Sequence, residues 1–190
     1  MWYRDHSTGR YDKHAKDFER LFSLLPLKPG DHVLDAGCGT GVLVPLILER
    51  IGENGILYEL DYAERMIAAN RALHQAGGIR FIVADAESAP LDNDSCDAVI
   101  CFSCFPHFHE KEKALSALLR ILKPDGCFTV SHFDSSAGIN RHHESCPAVM
   151  HDRLPDEGAM RALLQTAGLG IELFIDEPGF YSIIARKNRR

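Results

Sequence analysis

Gly37, Gly39 and Gly41 occupy every second position just after an acid, Asp35, that ends the aliphatic run Val33-Leu34. Glycine there costs conformational entropy, so three of them mark main chain that takes unusual dihedrals or is approached very closely by another molecule. Two other stretches carry side chains suited to proton transfer or metal binding. One is Cys101-Phe-Ser-Cys104-Phe-Pro-His107-Phe-His109; the other is His132-Phe-Asp134 and onward to His142-His143. His107, His132 and His143 are the candidates for a cluster that acts as a general base or binds a metal. For His142 and His143 the plainer alternative is a pair of solvated loop residues. Cys-x-x-Cys with two histidines reads locally as a metal site. Cys101 is expected at a strand end with phenylalanines around Cys104, so two half-buried thiols are preferred and no metal ligands are assigned.

The elements that position these residues alternate. Phe18, Leu21, Phe22 and Leu25 fall at helical spacing before a strand at about His32–Asp35. Val42–Ile51 reads as a helix with Pro45 in its first turn and Gly52 at its end. Gly55–Asp61 reads as a second strand, Met66 to Leu73 as a helix, Ile79–Ala84 as a third strand and Asp97–Phe102 as a fourth. Ala114 to Leu122 form a helix before a turn at Lys123–Gly126, and Cys127–Ser131 is the fifth strand. About His132–Pro155 shows no periodicity and is expected to be a long functional loop over the active face. Met160 to Ala167 form the last amphipathic helix. Two strands, about Leu169–Ile175 and Phe180–Ala185, then make an antiparallel hairpin. The expectation is one α/β domain over residues 1–190: a doubly wound, mostly parallel, Rossmann-like sheet of seven strands with the last antiparallel.

Open parallel sheets bind ligands beyond the carboxyl ends of their strands, at the point where strand order reverses. A dinucleotide fingerprint requires Gly-x-Gly-x-x-Gly, but Val42 stands where its third glycine belongs, which disfavours a nicotinamide dehydrogenase. Asp61 comes twenty positions after Gly41 at a strand end. A carboxylate there can accept both hydroxyls of a ribose; its plainer role is a helix cap. Asp35, buried at its strand end, requires hydrogen bonds from the glycine-turn amides or, through water, to the ligand.

Val33-Leu34-Asp35-Ala36-Gly37-Cys38-Gly39-Thr40-Gly41 resembles the first motif of class I S-adenosylmethionine-dependent methyltransferases, in particular the small single-domain, type 11-like members. Tyr58–Asp61, Ala84–Ala86, Asp97–Cys101 and Leu122–Gly126 resemble the family's later motifs, so the similarity covers nearly the whole chain. The resemblance implies S-adenosylmethionine as cofactor, held at Asp35, Gly37, Cys38, Gly39, Gly41 and Asp61. It further implies Tyr62 and Met66 against the adenine, Asp85 and the Ala86 amide on its edge, and Cys101 contacting the methionine part through its backbone.

Composition narrows the partners. With 190 residues, 25% charged, 45% hydrophobic and a net charge of -6, the chain is an ordinary globular protein and a poor nucleic-acid binder. The basic stretch from Arg186 reads as a solvated end. No apolar run approaches the roughly twenty residues of a membrane span, and Met1–Arg10 lacks an apolar signal core. Six cysteines without a framework pattern suit free thiols and a cytoplasmic location. The sequence therefore favours an enzyme that methylates a small-molecule acceptor. The alternative from a different class is a non-catalytic cofactor- or metal-binding module. Acceptor and oligomeric state stay open.

Overall fold

In the computed structural model, which describes residues 12–189, neighbouring residues of each inner strand feed opposite apolar layers. Along β1 (His32–Ala36), Val33 joins one layer and Leu34 the other; along β4 (Cys96–Phe102), Ala98, Ile100 and Phe102 oppose Val99 and Cys101. Two-residue alternation with both faces apolar is what a parallel sheet buried between helices demands. Met1–Arg10 and Arg190 lie outside the described residues.

The sheet has seven strands in the order β3-β2-β1-β4-β5-β7-β6, completed by β2 (Ile56–Asp61), β3 (Ile79–Val83), β5 (Leu122–His132), β6 (Leu169–Glu177) and β7 (Phe180–Lys187). β1 to β5 pair in parallel, whereas β7 runs antiparallel to both β5 and β6. This is the expected fold. α1 (Ala15–Leu24) and α2 (Val44–Ile51) cover one face through Phe18, Leu21, Phe22, Ile47 and Ile51. α4 (Lys111–Ile121) and α6 (Glu157–Thr166) cover the other through Leu115, Leu118, Met160 and Leu164. α3 (Glu64–Leu73) packs on β2 and β3.

The reversal of strand order falls between β1 and β4, and their pairing ends at Asp35–Ile100. Beyond that pair the strands part, which opens a crevice at their carboxyl ends.

Three expectations change. The stretch at about His132–Pro155 is not a loop throughout, because α5 (Ser136–Glu144) lies inside it. Ser135 caps α5 by accepting the Gly138 amide at 3.1 Å. Its buried residues are Ile139 and His143, one turn apart, so half of its inward stripe is a histidine that an apolar pattern does not register. The fifth strand begins at Leu122, and the expected turn is an irregularity inside it, with Asp125 at φ +61°. The basic end is not wholly solvated: Arg186 and Lys187 belong to β7, and Lys187 Nζ reaches Asp94 at 2.7 Å.

Candidate active site

The glycine turn after β1 is tied to β2. The amides of Gly37 and Cys38 both donate to the Leu60 carbonyl, at 2.7 and 3.0 Å. The Gly39 amide donates to Asp61 Oδ2 at 2.9 Å, and Asp61 Oδ1 accepts the Ala63 amide at 2.8 Å. Asp61 thus holds the turn and the entry to α3 at once. A carboxylate oxygen accepts more than one hydrogen bond, so capacity for ribose hydroxyls remains.

The three glycines are required for different reasons. A Cβ on Gly37 would lie 2.5 Å from Cys104 Cβ, and one on Gly41 would lie 2.3 Å from Asn70 Oδ1. Those positions are closed by the protein's own packing. At Gly39, with φ +55°, a Cβ would meet nothing within 4 Å. Its bare main chain faces open space, as the seat of a closely apposed ligand must.

Beneath the turn lie acids out of contact with water. Asp35 is 1% exposed, and neither carboxylate oxygen has a hydrogen-bond partner among the described residues. The glycine-turn amides expected to serve Asp35 donate elsewhere, to Leu60 and Asp61. They point across to β2, where the Leu60 carbonyl and the Asp61 carboxylate satisfy them. Burial, then the neighbouring Glu59, push the Asp35 carboxyl well above the usual carboxylate range. Glu59 pairs with Asp35 across β1 and β2 and is fully buried. It accepts a 2.5 Å bond from Asn70 Nδ2, and burial raises its pKa to about 7. Glu59 and Asn70 escaped the sequence reading; an acid flanked by apolar residues in a strand was the available signal.

Around this seat, Tyr62 is 78% and Met66 45% exposed, large apolar surface displayed where α3 begins. Asp85 is exposed and accepts the Glu87 amide at 2.9 Å, while Ala86 is buried behind it. Cys38 and Cys101 have buried side chains, so any contact they make with a ligand runs through the main chain. An orphaned buried acid, an unobstructed glycine and a bidentate-capable acid at adjacent strand ends fit a nucleoside sulfonium, whose ribose hydroxyls Asp61 can accept.

A cleft of about 440 Å³ lies over the ends of β4 and β5, lined by His14, Ser103, His107, His132, Phe133, Asp134, Ile139, His142 and His143. The three histidines singled out from sequence therefore share one cavity. His132 ends β5 and is 5% exposed, with no partner for Nε2 among the described residues. Burial, with His107 and His143 nearby, lowers its pKa to about 3, so it is a neutral imidazole. His143, buried on α5, donates from Nδ1 to the Asp152 carbonyl at 2.6 Å. His107 Nδ1 lies 2.7 Å from Asp152 Oδ2. His142 is exposed at the rim. Cys104 donates from Sγ to the Ala36 carbonyl at 2.9 Å instead of facing His107 or His109. Among the described residues no group of three His, Cys, Asp or Glu side chains is arranged to hold a metal ion.

The two sites share a wall. Cys104 packs on Gly37, whereas its neighbour Ser103 lines the histidine cleft and takes φ +54°, a left-handed backbone uncommon for serine. Strained residues of this kind concentrate at functional sites. Ser103 and Asp152 were not singled out from sequence, and no spacing rule marks either.

Comparison with known proteins covers the part of the chain from β1 into β5. The family described as a methyltransferase domain matches residues 34–130. A ubiquinone/menaquinone biosynthesis C-methyltransferase, UbiE, of Vibrio vulnificus is 32% identical over 110 residues, 56% of this chain and 42% of that protein. A malonyl-[acyl-carrier protein] O-methyltransferase of a Marinomonas species is 34% identical over 135 residues, 64% of this chain and 47% of that protein. The chain thus spans less than half the length of these relatives. Among solved structures, a SAM-dependent methyltransferase from Aquifex aeolicus superposes with a TM-score of 0.75 at 22% identity, over 90% of this chain and 89% of that one.

Proposed function

The chain belongs to the class I S-adenosylmethionine-dependent methyltransferase family, and on that premise we propose that it moves the methyl group to a small molecule seated in the histidine cleft. The observation that carries this reading is the shared wall at Ser103–Cys104. It sets the acceptor cavity directly against the glycine turn, as an in-line displacement between two bound reactants requires.

In this reading Gly39, Asp61 and Asp35 hold the cofactor's ribose and amino-acid portions, Tyr62 and Met66 cover the adenine, and Asp85 with the Ala86 amide read its edge. Gly37, Cys38, Gly41 and Cys101 shape the seat with their main chain. The cofactor supplies an activated methyl group, so the protein contributes alignment, exclusion of water and proton management. His107, His132 and His143 form the acceptor side.

The relatives' activities, C-methylation in ubiquinone/menaquinone biosynthesis and O-methylation of malonyl-[acyl-carrier protein], do not pass directly to this chain. The family match ends at residue 130, two positions before His132, and α5 with its histidines follows. Among the described residues no helix is long and apolar enough to cross a membrane. All six cysteines are free thiols, which favours a reducing, cytoplasmic setting.

Calorimetry with S-adenosylmethionine and a metabolite screen for S-adenosylhomocysteine release test the proposal. Micromolar binding with acceptor-dependent release supports it; a protein that binds neither sulfonium nor its demethylated product overturns it.

A further inference from the structure

Asp152 sits just before α6, outside every motif and outside the matched family region, yet it touches two of the three cleft histidines by different atoms. Its carboxylate Oδ2 is 2.7 Å from His107 Nδ1, and its main-chain carbonyl is 2.6 Å from His143 Nδ1. A carbonyl or an ionised carboxylate only accepts, so both bonds place a proton on Nδ1. In the neutral form of each ring the nitrogen on the far side, Nε2, is then a bare lone pair. The two rings lie side by side with centroids 5.1 Å apart, and both line the cleft. His132, the third ring lining the cleft, is neutral and near both.

The neighbouring cations Lys111 and Arg153 are engaged elsewhere. Lys111 lies near enough to Asp152 to feel its charge, but its Nζ donates to the carbonyls of Pro106 and Phe108. Arg153, next in the chain, is paired with Glu144 at 2.6 Å.

We infer that Asp152 is a positioning residue that fixes His107 as an Nε2 proton acceptor, so that the cleft takes a methyl acceptor bearing a proton to surrender: a hydroxyl, a thiol or a protonated amine. The inference rests on the methyl-transfer reading for its chemistry, but not for its geometry. In the step it serves, the acceptor's proton passes to His107 Nε2 and the freed electron pair forms the new bond to the methyl carbon. The carbon–sulfur bond breaks with its pair left on sulfur, which loses its positive charge. The charge gained by His107 is held against the Asp152 carboxylate.

Ring-nitrogen NMR of cofactor-free protein reads the tautomers directly. His107 and His143 are expected as Nδ1–H in the wild type. Asp152→Ala should convert His107 to the Nε2–H form and leave His143, held by the backbone of residue 152, unchanged. Asp152→Asn, which keeps an acceptor oxygen, should preserve both. Phenol titrated into the wild type should shift the His107 Nε2 resonance, whereas anisole, the same ring without the proton, should not. His107 found as Nε2–H in the wild type, indifference of its tautomer to Asp152→Ala, or equal shifts with phenol and anisole would each overturn the inference. Should the alanine variant fail to fold, the wild-type tautomers and the phenol–anisole comparison still decide. Calorimetry with S-adenosylmethionine on the same samples judges the methyl-transfer reading separately.

Discussion

The carboxylate of Asp61 binds the main chain of Gly39: Oδ2 accepts that amide at 2.9 Å, and Oδ1 accepts the Ala63 amide at 2.8 Å. A residue proposed for a ribose is therefore also a strut, and the two roles predict different losses. Asp61→Ala leaves two amides without their charged acceptor, a cost of about 1–3 kcal/mol in stability without any cofactor present. It should also lower S-adenosylmethionine affinity about tenfold or more. Denaturant melts of the cofactor-free protein measure the first effect and calorimetry the second. A stability loss with affinity intact would confine Asp61 to the strut.

The glycines separate by the same logic. Adding a methyl at Gly41 drives it into Asn70, and at Gly37 into Cys104, so Gly41→Ala and Gly37→Ala should destabilise the fold. Gly39→Ala meets no neighbour and pays only for its φ of +55°, about 1–2 kcal/mol. Its main effect should be on affinity, with Gly39→Val worse. If Gly39→Val binds the cofactor as well as the wild type, the ligand does not lie on that turn.

Much of this was legible in the sequence because it depends on period and punctuation. Alternating strands and helices, glycines after Asp35 and an acid at Asp61 are local patterns with local causes. Of the three cleft histidines, His132 was legible as a histidine at a strand end, whereas His107 follows β4 in a short turn and His143 lies on α5. What escaped depends on contacts across the fold. Asp35 was expected to be served by the turn beside it or, through water, by the ligand, and β2 captures the turn's amides through Leu60 and Asp61. α5 was missed because its buried stripe is Ile139 with His143. Asp152 acquires meaning only when the chain folds back over His107, and sequence spacing carries no trace of that contact.

Glu59 gives the site a pH dependence with a definite sign. Its pKa rises from 4.5 to about 7 on folding, chiefly through burial. The native state thus holds a proton that the unfolded chain has released, and stability falls as pH rises from about 4.5 to about 7, then levels. Glu59→Gln keeps an acceptor for Asn70 Nδ2 and removes the charge. The variant should gain stability over the wild type across that window, with the difference largest above pH 7 and small at pH 4.5. Urea melts at several pH values measure it; a difference that does not change with pH would show that Glu59 is ionised throughout. Removing that charge also relieves Asp35, so part of the gain is shared between the two acids.

His132 titrates in the opposite sense. Folding lowers its pKa from 6.5 to about 3, so the unfolded chain binds a proton that the native protein refuses. Stability owed to this group is complete above pH 6.5 and is lost as pH falls toward 3, by roughly 2 kcal/mol at pH 5 relative to a neutral residue. His132→Gln should therefore resist acid better than the wild type, with the two converging above pH 7 apart from packing. In the methyl-transfer reading the same variant should lower turnover more than S-adenosylmethionine affinity. In that reading a neutral ring at the end of β5 bears on the acceptor and not on the nucleoside across the shared wall. Melts at pH 5 and 7.5, with calorimetry and initial rates on the same protein, separate the two effects. An unchanged rate would leave His132 as a buried wall residue and shift the chemistry to His107 and His143.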